Sequence, residues 1–151
     1  MTEKLILYRS RGACEVQPDL ERKVIWASFA EALNGNNGQP KKGERRYHWE
    51  DKIILALSVE EATDLALAAR FAGWGRLSEP LRFYHDPSKS ERATGEPKTL
   101  TLRAGGEDSK AMAFLEARQG ERRITIALGK GDLFRLETLL PLAVGRLLEW
   151  A

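Results

Sequence analysis

Residues 52–73 read KIILALSVEEATDLALAARFAG, and two elements follow from them back to back. Lys52 to Leu57 is an apolar run of strand length. Ser58, with Glu61 three residues on, is a capping box: each side chain satisfies an amide that a helix start leaves unpaired, so a helix is predicted to begin there. Val59, Ala62, Leu65, Ala66, Ala69 and Phe71 give that helix one apolar stripe, and Gly73 predicts its end. A strand that runs straight into a helix is the unit from which the rest of the chain is read.

The same unit closes the sequence. Arg123 to Leu128 alternates as a strand, Gly129-Lys130-Gly131-Asp132 turns, and Leu133 to Trp150 reads as a helix with Leu133, Leu136, Leu140, Ala143, Val144 and Leu147 on its apolar face. Asp132 is the expected cap, and Pro141 is expected to kink the helix. Ahead of the first unit, Lys4–Tyr8 and Ala13–Pro18 form a predicted hairpin. Lys23–Leu33 fits a strand or a helix by periodicity, and NGNNGQPKKG, Asn34 to Gly43, is a loop by composition. Between the units lie strand candidates Leu81–Asp86, Lys98–Arg103 and Ala111–Gln119. The count is about four strands and a helix, stated twice. That order predicts an α+β fold of antiparallel sheets packed with two helices, in one domain over residues 1–151 with a topological pseudo-repeat, 1–75 and 80–151.

Composition narrows the function classes. The chain has 151 residues and a lone cysteine, Cys14, so no intrachain disulfide or CxxC metal arrangement is available. Lys and Arg number 24 against 22 Asp and Glu, a net charge of +2 that neither demands a nucleic-acid partner nor opposes one. No segment approaches the ~20 apolar residues of a membrane span, and no signal or transit peptide is visible, which predicts a cytoplasmic protein without a membrane partner. Basic residues gather at Arg9/Arg11, Arg22-Lys23, Lys41-Lys42, Arg45-Arg46 and Arg122-Arg123, each near an aromatic or a strand-like run.

Both histidines follow a tyrosine and sit beside an acid, in YHWED (47–51) and FYHDP (83–87). A zinc or hydrolytic site needs several converging ligands, and no HxxxH or HExxH spacing occurs, so neither a metal, a cofactor nor catalysis is predicted. The two stretches read as strand segments. GKGD at 129–132 suggests phosphate binding at a helix start but lacks the full GxxxxGK[ST] pattern.

Four blocks in order carry a resemblance to a known family. YRSRGACEVQP (8–18) is similar to a Lys-Gly-Lys-Ala-Ala-Leu block with arginines in place of the lysines, and with Gly12 and Cys14 where Ala and Leu are usual. YHWEDKIILALSVEE (47–61) is similar to a Tyr-Asp-Trp motif followed by Lys and Leu-Ser-Val-x-Glu. FYHDPSK (83–89) is similar to Phe-Phe-His-Asp-Pro-x-Lys, and the tail from Leu140-Pro141 to Trp150 to Leu-Pro-Tyr-Leu-Leu-Gly-Trp. Together they resemble the Whirly family of single-stranded DNA-binding proteins, whose topology also occurs in kinetoplastid mitochondrial RNA-binding proteins. The resemblance implies two four-stranded antiparallel sheets with two helices, a strand at Lys23–Ala30, and a cyclic homotetramer with the nucleic acid lying along sheets of neighbouring protomers. The absence of a transit peptide suits a prokaryotic or phage-type relative.

Sequence-tolerant binding of single strands requires aromatic faces for base stacking and cations along the phosphate path. Tyr8, Trp26, Phe29, Tyr47, Trp49 and Tyr84 are the candidate rings, and Arg9, Arg11, Lys41, Lys42, Arg46 and Lys52 the candidate phosphate contacts. On a strand, Tyr47 and Trp49 would share one face and His48 and Glu50 the other. Trp74 and Trp150 suit packing or interface roles. The alternatives are RNA as the ligand, an oligomeric scaffold whose rings only build a subunit interface, and a small enzyme using His48 and His85.

Overall fold

The capping box closes as its spacing predicts. Ser58 Oγ accepts the Glu61 amide at 3.1 Å and Glu61 Oε1 accepts the Ser58 amide at 3.1 Å, immediately before helix α1 (Val59–Gly73). The structure, a computed structural model, describes residues 4–33, 47–86 and 95–150. The predicted Asn34–Gly43 loop lies outside them.

Helix α1 ends at Gly73, as the sequence predicts, but Gly73 is not the left-handed residue of the stop. That residue is Gly75, at φ +69°. Arg76 N–H donates to the Phe71 carbonyl at 2.8 Å and Gly75 N–H to the Ala72 carbonyl at 3.0 Å, a Schellman closure that needs a left-handed residue. A Cβ added at Gly75 would meet nothing within 4 Å, so the cost of Gly75→Ala is the backbone term alone, about 1 kcal/mol. Gly73→Ala changes a helical residue with room for a methyl and stabilises by a comparable amount. Thermal melts should therefore move in opposite directions for the two variants, by a few degrees each.

Strands β1 (Leu5–Tyr8), β2 (Gly12–Asp19), β3 (Val24–Glu31) and β4 (Ile53–Leu57) form the first sheet in that order, all antiparallel. The ambiguous Lys23–Leu33 run is thus a strand, in a central position. Its register places Leu7, Cys14, Phe29 and Ile53 in one cross-strand row and Leu5, Val16, Ala27 and Leu55 in the next, all turned inward. Strands β5 (Leu81–His85), β6 (Lys98–Ala104), β7 (Ala113–Gln119) and β8 (Arg122–Leu128) form the second four-stranded sheet. Here Leu81, Leu102, Leu115 and Ile126 make one inward row and Phe83, Leu100, Ala117 and Ile124 another.

Helix α2 (Lys130–Leu147) starts three residues earlier than predicted, and Asp132 is not its cap residue. Gly129 holds that position, and Asp132 Oδ2 reaches back to accept its amide at 2.8 Å. The helix runs through Pro141 to Leu147. Leu133, Leu136 and Leu140 of α2 join Ala62, Leu65 and Ala69 of α1 in the cluster that both sheets line. The sheets therefore share one core, and each turns its other face away from it.

The expectation that Tyr47–Glu50 continues a strand is corrected. Only Tyr47 pairs, in a single bridge with Ala32, and Trp49–Asp51 is a 3₁₀ turn. The His48 amide still donates to the Glu31 carbonyl at 2.8 Å, but the next amides turn back on the chain, Trp49 N–H to Tyr47 and Asp51 N–H to His48. The stretch closes a turn before β4, so strand alternation does not decide where its rings point.

Candidate nucleic-acid interface

The outer face of the first sheet has a floor of small side chains. Register places Tyr8 opposite Ala13, and Ala13 opposite Ala30. The Tyr47 ring lies on Ala13, Ala30 and Ala32 and is only 6% exposed, with Trp49 packed against it. Its hydroxyl donates to the Arg9 carbonyl at 2.7 Å, which meets the need of a buried phenol for a partner. Tyr8, 53% exposed, stacks on Tyr47 at 5.6 Å between centroids and 29° between planes, and Trp49 meets Tyr47 edge-on at 6.4 Å. Three predicted rings are thus brought together: Tyr47 supports, Tyr8 is presented, and Trp49 braces from the side.

Other predicted residues are placed differently. Phe29 is fully buried among the inward residues of the first sheet, because it alternates away from the outer row of Ser28 and Ala30; it has no face for a base. Arg9 is engaged by protein groups rather than free for phosphate: its guanidinium bonds to the Ala127 and Tyr8 carbonyls and to Asp132. Trp26 does lie on the outer face, opposite Gln17 and Ala56 and roughly 13 Å along β3 from the Ala30 row. Its indole N–H donates to Asp19 Oδ2 at 3.0 Å, and the Arg22 guanidinium sits 5.9 Å from the ring centroid. The indole and the Arg22 amide hold the Asp19 carboxyl below the usual carboxylate range. Arg11 and Lys52 are exposed, with no ion pair among the described residues. Lys41, Lys42 and Arg46 lie outside the described residues.

Tyr84 belongs to the other sheet. It is 62% exposed on β5, in a cross-strand row with Thr99, Arg118 and Arg123. The next row is Arg82, Thr101, Glu116 and Thr125, and Arg103 lies over the Phe114 ring at 4.6 Å. Glu116 takes up Arg123 at 3.5 Å and the Thr125 hydroxyl at 3.2 Å. Arg82 and Arg118 remain exposed and have no ion pair among the described residues. Sequence reading did not single them out, since each is a lone cation in its own strand; the available signal was their alternation with the inward Phe83 and Ala117. A polar face with spaced arginines and one exposed tyrosine can neutralise phosphates and stack a base.

The histidines do not converge. His85 Nε2 lies 2.8 Å from Glu61 Oε2, the oxygen of the capping-box carboxylate that Ser58 leaves free, and His48 Nδ1 lies 3.4 Å from Glu50. Among the described residues no three His, Cys, Asp or Glu side chains are placed to hold a metal ion. Cys14 is buried between the sheets, and burial pushes its thiol pKa up, so it stays neutral. No helix of the described residues is long and apolar enough to cross a membrane. The helices, and the turn after α1, do leave large apolar side chains exposed, among them Leu67, Phe71, Phe134, Leu139 and Leu142 on the helices and Trp74 in the turn.

Residues 24–139 match the family model described as Whirly transcription factor. The plant transcriptional regulator PBF-2 has the same fold at 20% sequence identity and a TM-score of 0.68, over 98% of this chain and 91% of that one. WHY1 from Arabidopsis thaliana superposes with a TM-score of 0.69 at 18% identity, over 99% and 87% of the two chains. MRP1/MRP2 of trypanosoma bruciei superposes with 0.57 at 14% identity, over 97% and 94%. No curated protein matches the chain significantly.

Proposed function

The chain belongs to the Whirly family, and from that membership and its two sheet faces we propose that it is a non-enzymatic, largely sequence-tolerant binder of single-stranded DNA. The observation that carries this reading is that the outer face of each sheet presents an exposed tyrosine, Tyr8 on one and Tyr84 on the other, while arginines with no ion pair among the described residues stand on or beside both. Bases stack on the rings and phosphates meet Arg11, Lys52, Arg82 and Arg118. In this reading the protein is a homotetramer, and one bound strand runs along sheet faces of neighbouring copies. The exposed apolar residues of the helices supply surface for such copies to cover.

Fluorescence anisotropy of a labelled strand of ~30 nucleotides, titrated at several salt concentrations, tests this; that length spans several sheet-sized sites. Single-stranded DNA should bind tightly, outcompete duplex, and weaken linearly in log Kd against log salt. Preferential competition by RNA of the same sequence would move the ligand to RNA. No binding at low salt would leave the fold and remove the function.

A further inference from the structure

Arg9 lies just past the end of β1, an edge strand of four residues paired only with β2. Each of its three guanidinium nitrogens is held by the protein. Nε donates to the Ala127 carbonyl of β8 at 2.8 Å, Nη1 to the Tyr8 carbonyl at 2.8 Å, and Nη2 to Asp132 Oδ2. That same carboxylate oxygen accepts the Gly129 amide at the start of α2, and Asp132 Oδ1 pairs with Arg135 at 3.3 Å. From the other side, the Arg9 carbonyl accepts the Tyr47 hydroxyl. Through backbone and side chain together, one residue links the stacked Tyr8–Tyr47 pair to the edge of the second sheet and to the first turn of α2.

We infer that Arg9 is a positioning residue for nucleic-acid binding: it pins the Tyr8–Tyr47 platform against β8 and α2, and it makes no phosphate contact. The inference rests on the single-strand-binding reading above. Tyr8 is the terminal residue of a short edge strand, the place where a sheet frays most readily, and a ring that wandered there would have to be ordered each time a base stacked on it. The planar guanidinium suits this task, because its rigid fork reaches acceptors on three separate elements at once, whereas a lysine offers one compact charge. Its charge is already met by Asp132, so little remains for a phosphate.

Asp132 separates the two roles by sign. Were Arg9 a phosphate contact, Asp132→Asn would release it, remove a nearby negative charge and tighten binding. For a positioning residue, the same change loosens the anchor and weakens binding. The experiment measures affinity of labelled oligo-dT across a salt series for wild type, Arg9→Lys, Arg9→Met and Asp132→Asn, with near-UV circular dichroism and thermal melting of each. All three variants should bind about tenfold more weakly, as for loss of one stacked base, with an unchanged salt slope and a diminished near-UV signal from the ring cluster. Tighter binding by Asp132→Asn, wild-type binding by Arg9→Lys, or a slope lowered by about 0.7 in Arg9→Met overturns the inference. Failure of wild type to bind strikes the nucleic-acid reading instead. The near-UV signal of Arg9→Lys, compared at temperatures where it is as folded as wild type, then decides whether Arg9 anchors the rings: a diminished signal upholds the anchor and an unchanged one overturns it.

Discussion

Phe29→Ala should lower the melting temperature by roughly 10 °C while leaving the single-strand affinity of the folded protein unchanged. Phe29 is on the central strand β3, completely buried, between Cys14 and Ile53 in one cross-strand row. Truncating a buried phenylalanine costs about 3–5 kcal/mol, from lost transfer energy and the cavity left behind, and in a chain of this size each kcal/mol lowers the midpoint by about 2–4 °C. Its neighbours on β2 and β4 are fixed by ladder pairing, so the site has little freedom to collapse. Phe29→Leu keeps most of the volume and should cost far less. The check is a thermal melt of each variant beside an anisotropy titration well below its transition. A Phe29→Ala protein that melts like wild type but has lost its affinity would put the ring on the binding face and refute its place in the core.

The contrast between Phe29 and Trp26 shows what the sequence carries and what it does not. Once Val24–Glu31 is a strand, positions 26 and 29 must face opposite sides, so the two rings cannot both be platforms. Which of them turns inward depends on the register with β2 and β4. Local signals were legible where they were covalently close. The Ser58–Glu61 box marked the start of α1, and alternation marked β8. Gly73 was legible as the end of α1, but the left-handed residue of the stop, Gly75, was not, because the two glycines flank Trp74 and the choice depends on which carbonyls the turn must satisfy. Tyr47 and Trp49 do meet, but through a 3₁₀ turn and an isolated bridge rather than along a strand. Arg9 looked like a phosphate ligand because its partners, Ala127 and Asp132, lie 118 and 123 residues away. Arg82 and Arg118 were invisible as a group for the same reason: sheet topology, not spacing, puts them on one face.

That face supports the second large effect. Replacing Arg82 and Arg118 together by glutamine should weaken single-strand binding roughly tenfold near 0.15 M salt and lower the salt slope by about 1.4, at about 0.7 for each phosphate of a single strand that is no longer neutralised. Stability should hardly move, since both side chains are exposed and neither has an ion pair among the described residues. Tyr8→Ala supplies the contrast. It removes a stacking partner worth about 1–3 kcal/mol and leaves the cations in place, so affinity should fall by a similar factor with the slope intact. The pair of measurements, slope and affinity, then divides the surface by chemistry: arginines of the second sheet act on phosphate, the ring of the first on a base. A weakening in both variants for the same short strand would place Tyr8 of the first sheet and the arginines of the second on one binding path. An unchanged slope in Arg82→Gln/Arg118→Gln would take the second sheet off the phosphate path and confine binding to the first, with Arg11 and Lys52 as its cations.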